Sequence, residues 1–315
     1  MRYAARRLLH GLLLLAGVSV LSFLFADLAP GDYFSEMRLD PRISTETVAG
    51  LRARAGLDRP LPVRYAAWVG SVLRGEFGYS LAYQGPVGPL LWRRLGATVL
   101  LTGAASLAAW LAALPLGIWL AARRGSWRDA IGKLLLAVLL AIPDLLLAIA
   151  LLALAVETGW LPVGGMSSGA ASRWRDVAWH IVIPAGVLAV GMLPVLVRHV
   201  RATMIEALDA PFALAARAHG IPRRRLLLRH LLPAAIHPLI TLLGFSLGTL
   251  VSASLLIEVV TGWPGLGPLF LEAIMARDFA LVLGVVMLST ACLVAANLAA
   301  DLLLYRLDPR IRIRT

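Results

Sequence analysis

Asp209-Ala-Pro-Phe-Ala-Leu-Ala-Ala-Arg-Ala-His-Gly-Ile-Pro-Arg-Arg-Arg-Leu-Leu-Leu-Arg-His-Leu-Leu-Pro233 decides how the rest of the chain is read. Asp209 and Pro211 suit a helix start, Gly220 its stop, and Pro222 the start of a second helix. At 1.5 Å per residue, a helix over 211–219 is about 13 Å long. The second helix sets Arg223, Arg224, Arg225 and Arg229 among Leu226, Leu227, Leu228, Leu231 and Leu232. A basic amphipathic helix of that kind rests readily on anionic lipid. That accounts for the second helix and not for the small-residue first one. A short Ala-rich helix ended by glycine, projecting from a membrane, suits the cleft of another protein.

Working outward, this segment lies between apolar runs long enough to cross a bilayer. Of the 315 residues, 59% are hydrophobic and only 15% charged, too little charge to cover a soluble domain of this size. The spans are expected at Leu8–Ala26, Leu95–Ala122, Leu134–Val156, Trp179–Val197, Ile240–Ile257 and Phe279–Ala300. The third is broken by Pro143 and Asp144, and the fourth contains Pro184, Gly186, Gly191 and Pro194. Such residues are tolerated where neighbouring helices re-satisfy the backbone. The first run follows Arg2, Arg6 and Arg7 as a signal peptide would. Its 19 uncharged residues and the lack of a small-x-small cleavage site predict a retained helix instead. The fold expected is an all-α membrane protein with six transmembrane helices.

Net charge is +12, and its distribution orients the spans rather than pointing to nucleic acid. With the N-terminus inside, the inner segments are the N-terminus, 123–133, 198–236 and the C-terminus, with 3, 4, 7 and 4 Lys/Arg. The two short outer loops hold only Arg173, Arg175 and Arg277. The long outer loop 30–94 holds nine, but long loops weigh little in this rule. Both termini are therefore expected to be cytoplasmic, in the inner (plasma) membrane of a bacterial or archaeal cell.

The chain divides into an N-terminus with its first span (1–29), the extracytoplasmic loop (30–94), a five-helix core (95–305) containing the inner segment 200–236, and a tail (306–315). The outer loop is expected to be folded. Ser44 suits the N-cap of a helix ending near Gly56, and Pro62 opens an amphipathic stretch with Val63, Ala66, Val69 and Leu73 on one face. Trp68 and Trp92 suit a membrane interface. Such a loop is either a lid on the spans or a docking surface for an external partner.

Few residues offer chemistry, and no catalytic group is expected. Gly262-Trp-Pro-Gly-Leu-Gly-Pro268 lacks the Gly-Lys-Ser/Thr of a phosphate-binding loop and reads as a tight turn with Trp263 at the interface. The single cysteine, Cys292, excludes a disulfide within the chain, and the six histidines show no i, i+4 pair, so no metal site is expected. Asp144 lies mid-span, where a carboxylate lines a wet pathway, caps the backbone broken by Pro143 or is simply protonated. Asp301, four residues after Asn297, reads as a structural group at the inner end of the last span, and Glu258 as a solvated one at the outer end of the fifth. Gly244, Gly248 and Ser252 recur every four residues and let another helix approach closely; Ser252 is also a candidate lining residue.

The inner segment resembles the cytoplasmic loop of ABC importer permeases: Glu-Ala-Ala, three residues, Gly, nine residues, Ile, one residue, Leu-Pro. Ala215, Ala216, Gly220, Leu232 and Pro233 fall on that pattern, while Leu214 replaces the Glu and His230 the Ile. The chain is further similar to the first of the two permeases of dipeptide, oligopeptide and nickel systems. That likeness runs through Leu-Ala-Pro-Gly-Asp (28–32), Gly-Leu-Asp-Arg-Pro-Leu (56–61), Arg-Gly-Glu-Phe-Gly-Tyr-Ser (74–80), Trp-Pro-Gly-Leu-Gly (263–267) and Leu-Asp-Pro-Arg-Ile-Arg (307–312).

The resemblance implies the type I permease fold of ABC importers. It also implies an assembly with a second homologous permease, two ATPase subunits that bind ATP and Mg, and an extracytoplasmic substrate-binding protein. This chain would hold no cofactor of its own. Ala215, Ala216, Arg217, Gly220, Ile221, Pro222, Arg223, Arg224, Leu232 and Pro233 would form the loop that couples to the ATPases. Peptides are the default substrate, with nickel, glutathione or another small solute as alternatives. A free-standing secondary transporter needs more intramembrane carboxylates than the isolated Asp144. An intramembrane enzyme needs a nucleophile–base pair that is not seen.

Overall fold

The structure is a computed structural model that describes residues 2–28, 31, 33–35, 44–54, 56, 58–169 and 173–307. Much of Leu-Ala-Pro-Gly-Asp (28–32) and of Leu-Asp-Pro-Arg-Ile-Arg (307–312) lies outside them, as does most of the 306–315 tail. The helices are α1 (Arg2–Leu28), α2 (Thr45–Arg54), α3 (Leu61–Val72), α4 (Val87–Ala122), α5 (Trp127–Ala141), α6 (Asp144–Thr158), α7 (Arg173–His180), α8 (Val182–Asp209), α9 (Pro211–Ala218), α10 (Arg223–Arg225), α11 (Leu232–Thr261), α12 (Leu266–Met275) and α13 (Phe279–Leu307). A two-stranded antiparallel hairpin, β1 (Tyr79–Ser80) with β2 (Gly85–Pro86), pairs Tyr79 with Pro86.

Among the described residues, five helices are long and apolar enough to cross a membrane, within α1, α4, α8, α11 and α13. The pair α5 and α6, bent by 88° at the break between them, makes a sixth if the two count as one span. The expected third span is therefore not one helix. Ile142 precedes Pro143 and is held extended (φ −84°, ψ 118°), because the proline ring clashes with a helical residue before it. Asp144 then opens α6. α4 begins at Val87, eight residues before the expected Leu95, so Trp92, Arg93 and Arg94 are helical and the outer loop is shorter than 30–94. Charge ends the apolar run there without ending the helix.

Close approaches between neighbours order the bundle. A Cβ on Gly117 would stand 2.6 Å from Val200, which sets the inner half of α4 against α8. Cβ atoms on Gly244 and Gly248 would meet Ala300 at 2.2 Å and Leu293 at 2.1 Å, so α11 and α13 run antiparallel and tightly packed. The glycines of the expected small-residue stripe thus serve packing within the chain. Gly11 meets Val294 in the same way, and Arg7 pairs with Asp301 at 3.2 Å, which gives Asp301 its structural place at one end of α1 and α13. One end of the bundle therefore carries Arg7, the α4–α5 turn, α9 and the end of α13. The other carries the hairpin, the 159–169 loop and the turns around α12.

The segment between α1 and α4 holds the two expected helices. Ser44 accepts the Thr47 N–H at 3.1 Å as the N-cap of α2, and Gly56 is left-handed (φ +71°). α3 packs by a different face from the one expected. Tyr65 and Trp68 lie against Phe23 of α1, with centroids 5.4 and 5.9 Å away, while Val63, Ala66 and Leu73 are exposed. The aromatic rings offer more area to bury than the aliphatic stripe and decide the rotation. Trp68 is thereby taken up in this cluster, whereas Trp92 is exposed as an interface residue would be.

Candidate functional site

At the end of the bundle that carries Arg7, α9 begins with Pro211 in its first turn, where the missing N–H costs nothing. It ends at Gly220, left-handed at φ +71°. The Gly220 N–H donates to Arg217 O at 2.9 Å and the Ile221 N–H to Ala216 O at 3.2 Å, the paired bonds of a Schellman turn. Ile221 packs on the inner core beside Leu226 and Leu231. Ala213 is fully buried and Ala216, three residues on, is half-buried against the same core. Ala215 and Ala218 are exposed, with Phe212 and Leu214 uncovered beside them. α9 is therefore fixed from behind and presents a small, apolar outward face. Arg217 ties it down further by donating to Leu208 O at 3.2 Å.

Beyond Pro222 the chain does not make the separate amphipathic helix that the sequence predicts. α10 passes through a π-helical turn, Leu226–Leu231, directly into α11. Pro233 supplies the cause. Its ring crowds the Arg229 carbonyl and it has no N–H to donate, so the ladder widens and Leu232 N–H reaches Leu227 O. Arg223 and Arg224 are exposed on this continuation, Leu232 packs inward and Pro233 is exposed.

Two ion pairs brace the base of this segment, and neither is evident from apolar patterning. Asp129, 1% exposed, accepts both Arg201 Nε and a terminal nitrogen at 2.8 Å, takes the Gly125 N–H at 3.2 Å, and lies 3.6 Å from Lys133 Nζ. Arg124 pairs with Asp209 at 2.5 Å. Together they lock the α4–α5 turn to the end of α8, immediately before α9. The available signal was local: Ser126 followed three residues later by Asp129, with the Asp129 N–H on Ser126 Oγ at 3.3 Å.

Midway through the bundle, Asp144 lies beside a cavity of about 250 Å³ lined by α8 and α11, with Gly191, Ser246 and Thr249 among its walls. A Cβ on Gly191 would stand 2.2 Å from Asp144 Oδ1, so the absence of one admits the carboxylate. Asp144 opens α6 and is half-buried. Ser252 is exposed on α11 and does not line this cavity.

At the opposite end of the bundle, Glu258 and Trp263 both differ from expectation. Glu258 is not solvated but fully buried; it accepts the Gly267 N–H at 2.7 Å and the Ser254 hydroxyl at 3.3 Å, and bonds Thr98. Trp263 is not at an interface: its ring is fully buried and its indole donates to Ala97 O at 2.9 Å. Side chains at Gly265 and Gly267 would collide with Glu258 and with the Leu255 carbonyl, at 2.4 and 2.1 Å. These two glycines let the turn fold back over the end of α11. Asp278, also buried, joins the hairpin to α13 through the Ser80 hydroxyl at 2.7 Å and the Ala82 N–H at 3.1 Å.

Residues 113–313 match the family of binding-protein-dependent transport system inner membrane components. The oligopeptide transport system permease protein AppB of Bacillus subtilis is 33% identical over 312 residues, covering 98% of each chain. OppB of Mycobacterium tuberculosis, also an oligopeptide transport system permease protein, is 33% identical over 324 residues, with 99% of each covered. The glutathione transport system permease protein GsiC of Salmonella choleraesuis is 31% identical over 313 residues, again with 99% of each covered. Among solved structures, a chain of the inward-facing MetNI methionine ABC transporter superimposes with a TM-score of 0.57 at 21% identity, over 70% of this chain and 96% of that one. An amino acid ABC transporter gives 0.53 at 17% identity, over 69% and 94%. These two likenesses concern the fold, the type I permease fold of ABC importers. Relatives matched from end to end and a family model over most of the chain agree with the inner segment's pattern: the chain belongs to the inner-membrane components of binding-protein-dependent transport systems, as an ABC importer permease of the peptide and nickel type.

Proposed function

We propose that this permease forms half of the translocation pathway of an ATP-driven importer for di- and oligopeptides. Its partners are a second homologous permease, two ATPase subunits that hold ATP and Mg, and a substrate-binding protein outside. Both termini and the α9 end of the bundle face the cytoplasm; the excess of Lys and Arg in the inner segments supports this orientation. The long segment before α4 and the five-helix core act as outer and membrane parts of one unit. The reading rests most on α9, a short helix locked by its Schellman turn whose uncovered face carries Phe212, Leu214 and Ala215. An apolar face held rigid outside the bilayer is a surface for a partner protein. Closure of the ATPases on nucleotide would move α9, and the α10–α11 continuation would carry that motion into the spans. Asp144 lines the pathway in this reading, because a carboxylate at membrane depth belongs on a wet cavity rather than lipid. Ser252 stays a candidate on the same helix as Ser246 and Thr249.

Peptides are favoured over nickel because the permeases AppB and OppB are named for oligopeptides. Glutathione, itself a tripeptide, is the second reading, favoured by GsiC at 31% identity. The test is reconstitution of the purified assembly in lipid vesicles, with ATP hydrolysis and uptake measured on oligopeptides, glutathione and Ni²⁺. Oligopeptide-stimulated hydrolysis is expected. Ala215→Trp and Gly220→Val are expected to abolish that stimulation while the chain still inserts. Stimulation by Ni²⁺ alone, or full coupling in both variants, refutes the proposal.

A further inference from the structure

A groove of about 850 Å³ runs along the inner half of α4, between that helix and the α10–π turn. Its floor is Leu114, Ile118, Leu227 and Leu228, and its rim is Arg123, Arg223 and Arg224, with Trp119 in the wall. From Leu114 to Arg123 is nine residues of helix, about 13 Å, close to the ~15 Å depth of one leaflet's hydrocarbon. The charge sits entirely at one end. The Arg123 guanidinium lies 4.6 Å from the Trp119 ring centroid, which orients both at the height where indoles and headgroups meet. A second large groove on the same bundle, between Gly103 and Leu247, has no charged residue in its lining. Three cations at the rim of one acyl-sized channel are therefore not a property of every gap between spans.

We propose that this groove binds an anionic phospholipid of the cytoplasmic leaflet, with its phosphate on Arg123, Arg223 and Arg224 and one acyl chain along Leu114, Ile118, Leu227 and Leu228. Charge complementarity selects the occupant: guanidinium groups bind phosphate oxygens in paired hydrogen bonds, and a neutral zwitterion offers less to a rim of three cations. The site joins α4 to the base of the coupling segment, so an occupied groove holds α10 against α4. It does not depend on which solute is transported.

The test uses the full-length chain co-purified with its partners and exchanged into mixed vesicles of phosphatidylglycerol and phosphatidylcholine. Retained lipid is counted by native mass spectrometry after mild detergent extraction. Each guanidinium near an anionic surface contributes about a fivefold preference, reduced by salt. Phosphatidylglycerol is therefore expected to be retained at least tenfold over phosphatidylcholine at equal mole fraction. Combining R123Q, R223Q and R224Q should bring that ratio to within about twofold. R59Q with R74Q, at the other end of the molecule, should leave it unchanged. Glycerol phosphate added in solution should not displace the lipid. Equal retention of the two lipids, loss of preference in the R59Q/R74Q control, or displacement by glycerol phosphate would each overturn the proposal.

Discussion

Replacing Asp129 by Asn removes the charge that holds Arg201 while keeping the side-chain shape. Both contacts to Arg201 are 2.8 Å, and the Asp129 side chain is 2% exposed against 22% for Arg201. Taking one partner from a buried pair costs about 3–5 kcal/mol, because the other charge is left desolvated. Arg201 keeps some solvent and the Asn oxygen still accepts the Gly125 N–H, so the cost falls just below that range, at ~2–3 kcal/mol. With about 2–4 °C per kcal/mol for chains of 150–250 residues, the midpoint of thermal aggregation should fall by roughly 4–12 °C. The assay is size-exclusion recovery after heating in detergent, for Asp129→Asn, Arg201→Gln and the double variant. The double variant should be destabilised by at least ~1 kcal/mol less than the sum, since neither charge then remains unpaired. Additive losses within ~0.5 kcal/mol would mean that the two side chains act independently, and the brace at the base of the coupling segment would be refuted.

Three other outcomes follow from the structure. In a Cys292→Ser background, a cysteine at Ser168 should be labelled by an impermeant reagent from outside and one at Arg128 should not; the reverse pattern would invert the bundle. Asp144→Leu should impair uptake while the assembly and its basal ATP hydrolysis persist, with Asp144→Asn milder; normal uptake by the Leu variant would remove Asp144 from the pathway. Glu258→Leu should orphan the Gly267 N–H at ~1–3 kcal/mol, exposing 262–278 to protease, whereas Glu258→Gln keeps an acceptor and should resist; equal nicking of both would deny the carboxylate its structural role.

What the sequence makes legible is what local chemistry decides. Gly220 stops α9, Ser44 caps α2, and Pro143 breaks the third span, because each acts through its own backbone or that of residues a few positions away. The apolar runs mark the crossings because the bilayer's thickness is a length filter. What stays hidden depends on partners far along the chain. Glu258 reads as a solvated residue until the turn over Gly265 and Gly267 encloses it, and Trp263 reads as an interface residue until Ala97 supplies its acceptor. Arg201 reads as one more positive-inside charge, though its carboxylate lies 72 residues away in sequence. The 88° bend has a local cause but no local angle: proline fixes where α5 stops, and packing of α6 against α8 and α11 fixes where it points.

The position of α11 has a mechanical consequence. Its 30 residues make a bar about 45 Å long, continuous at one end with the segment proposed to meet the ATPases and carrying Glu258 in its last turn at the other. A tilt of ~5° about the inner end displaces the outer end by about 4 Å, more than the length of the hydrogen bond between Glu258 and Gly267. The outer knot of Glu258, Thr98 and Trp263 therefore travels with the bar or comes undone. In the proposed mechanism, a carboxylate buried where the bar's stroke is greatest would act as a latch, and its strength would set how much rotation at the α9 end is absorbed before the far end of the bundle gives way.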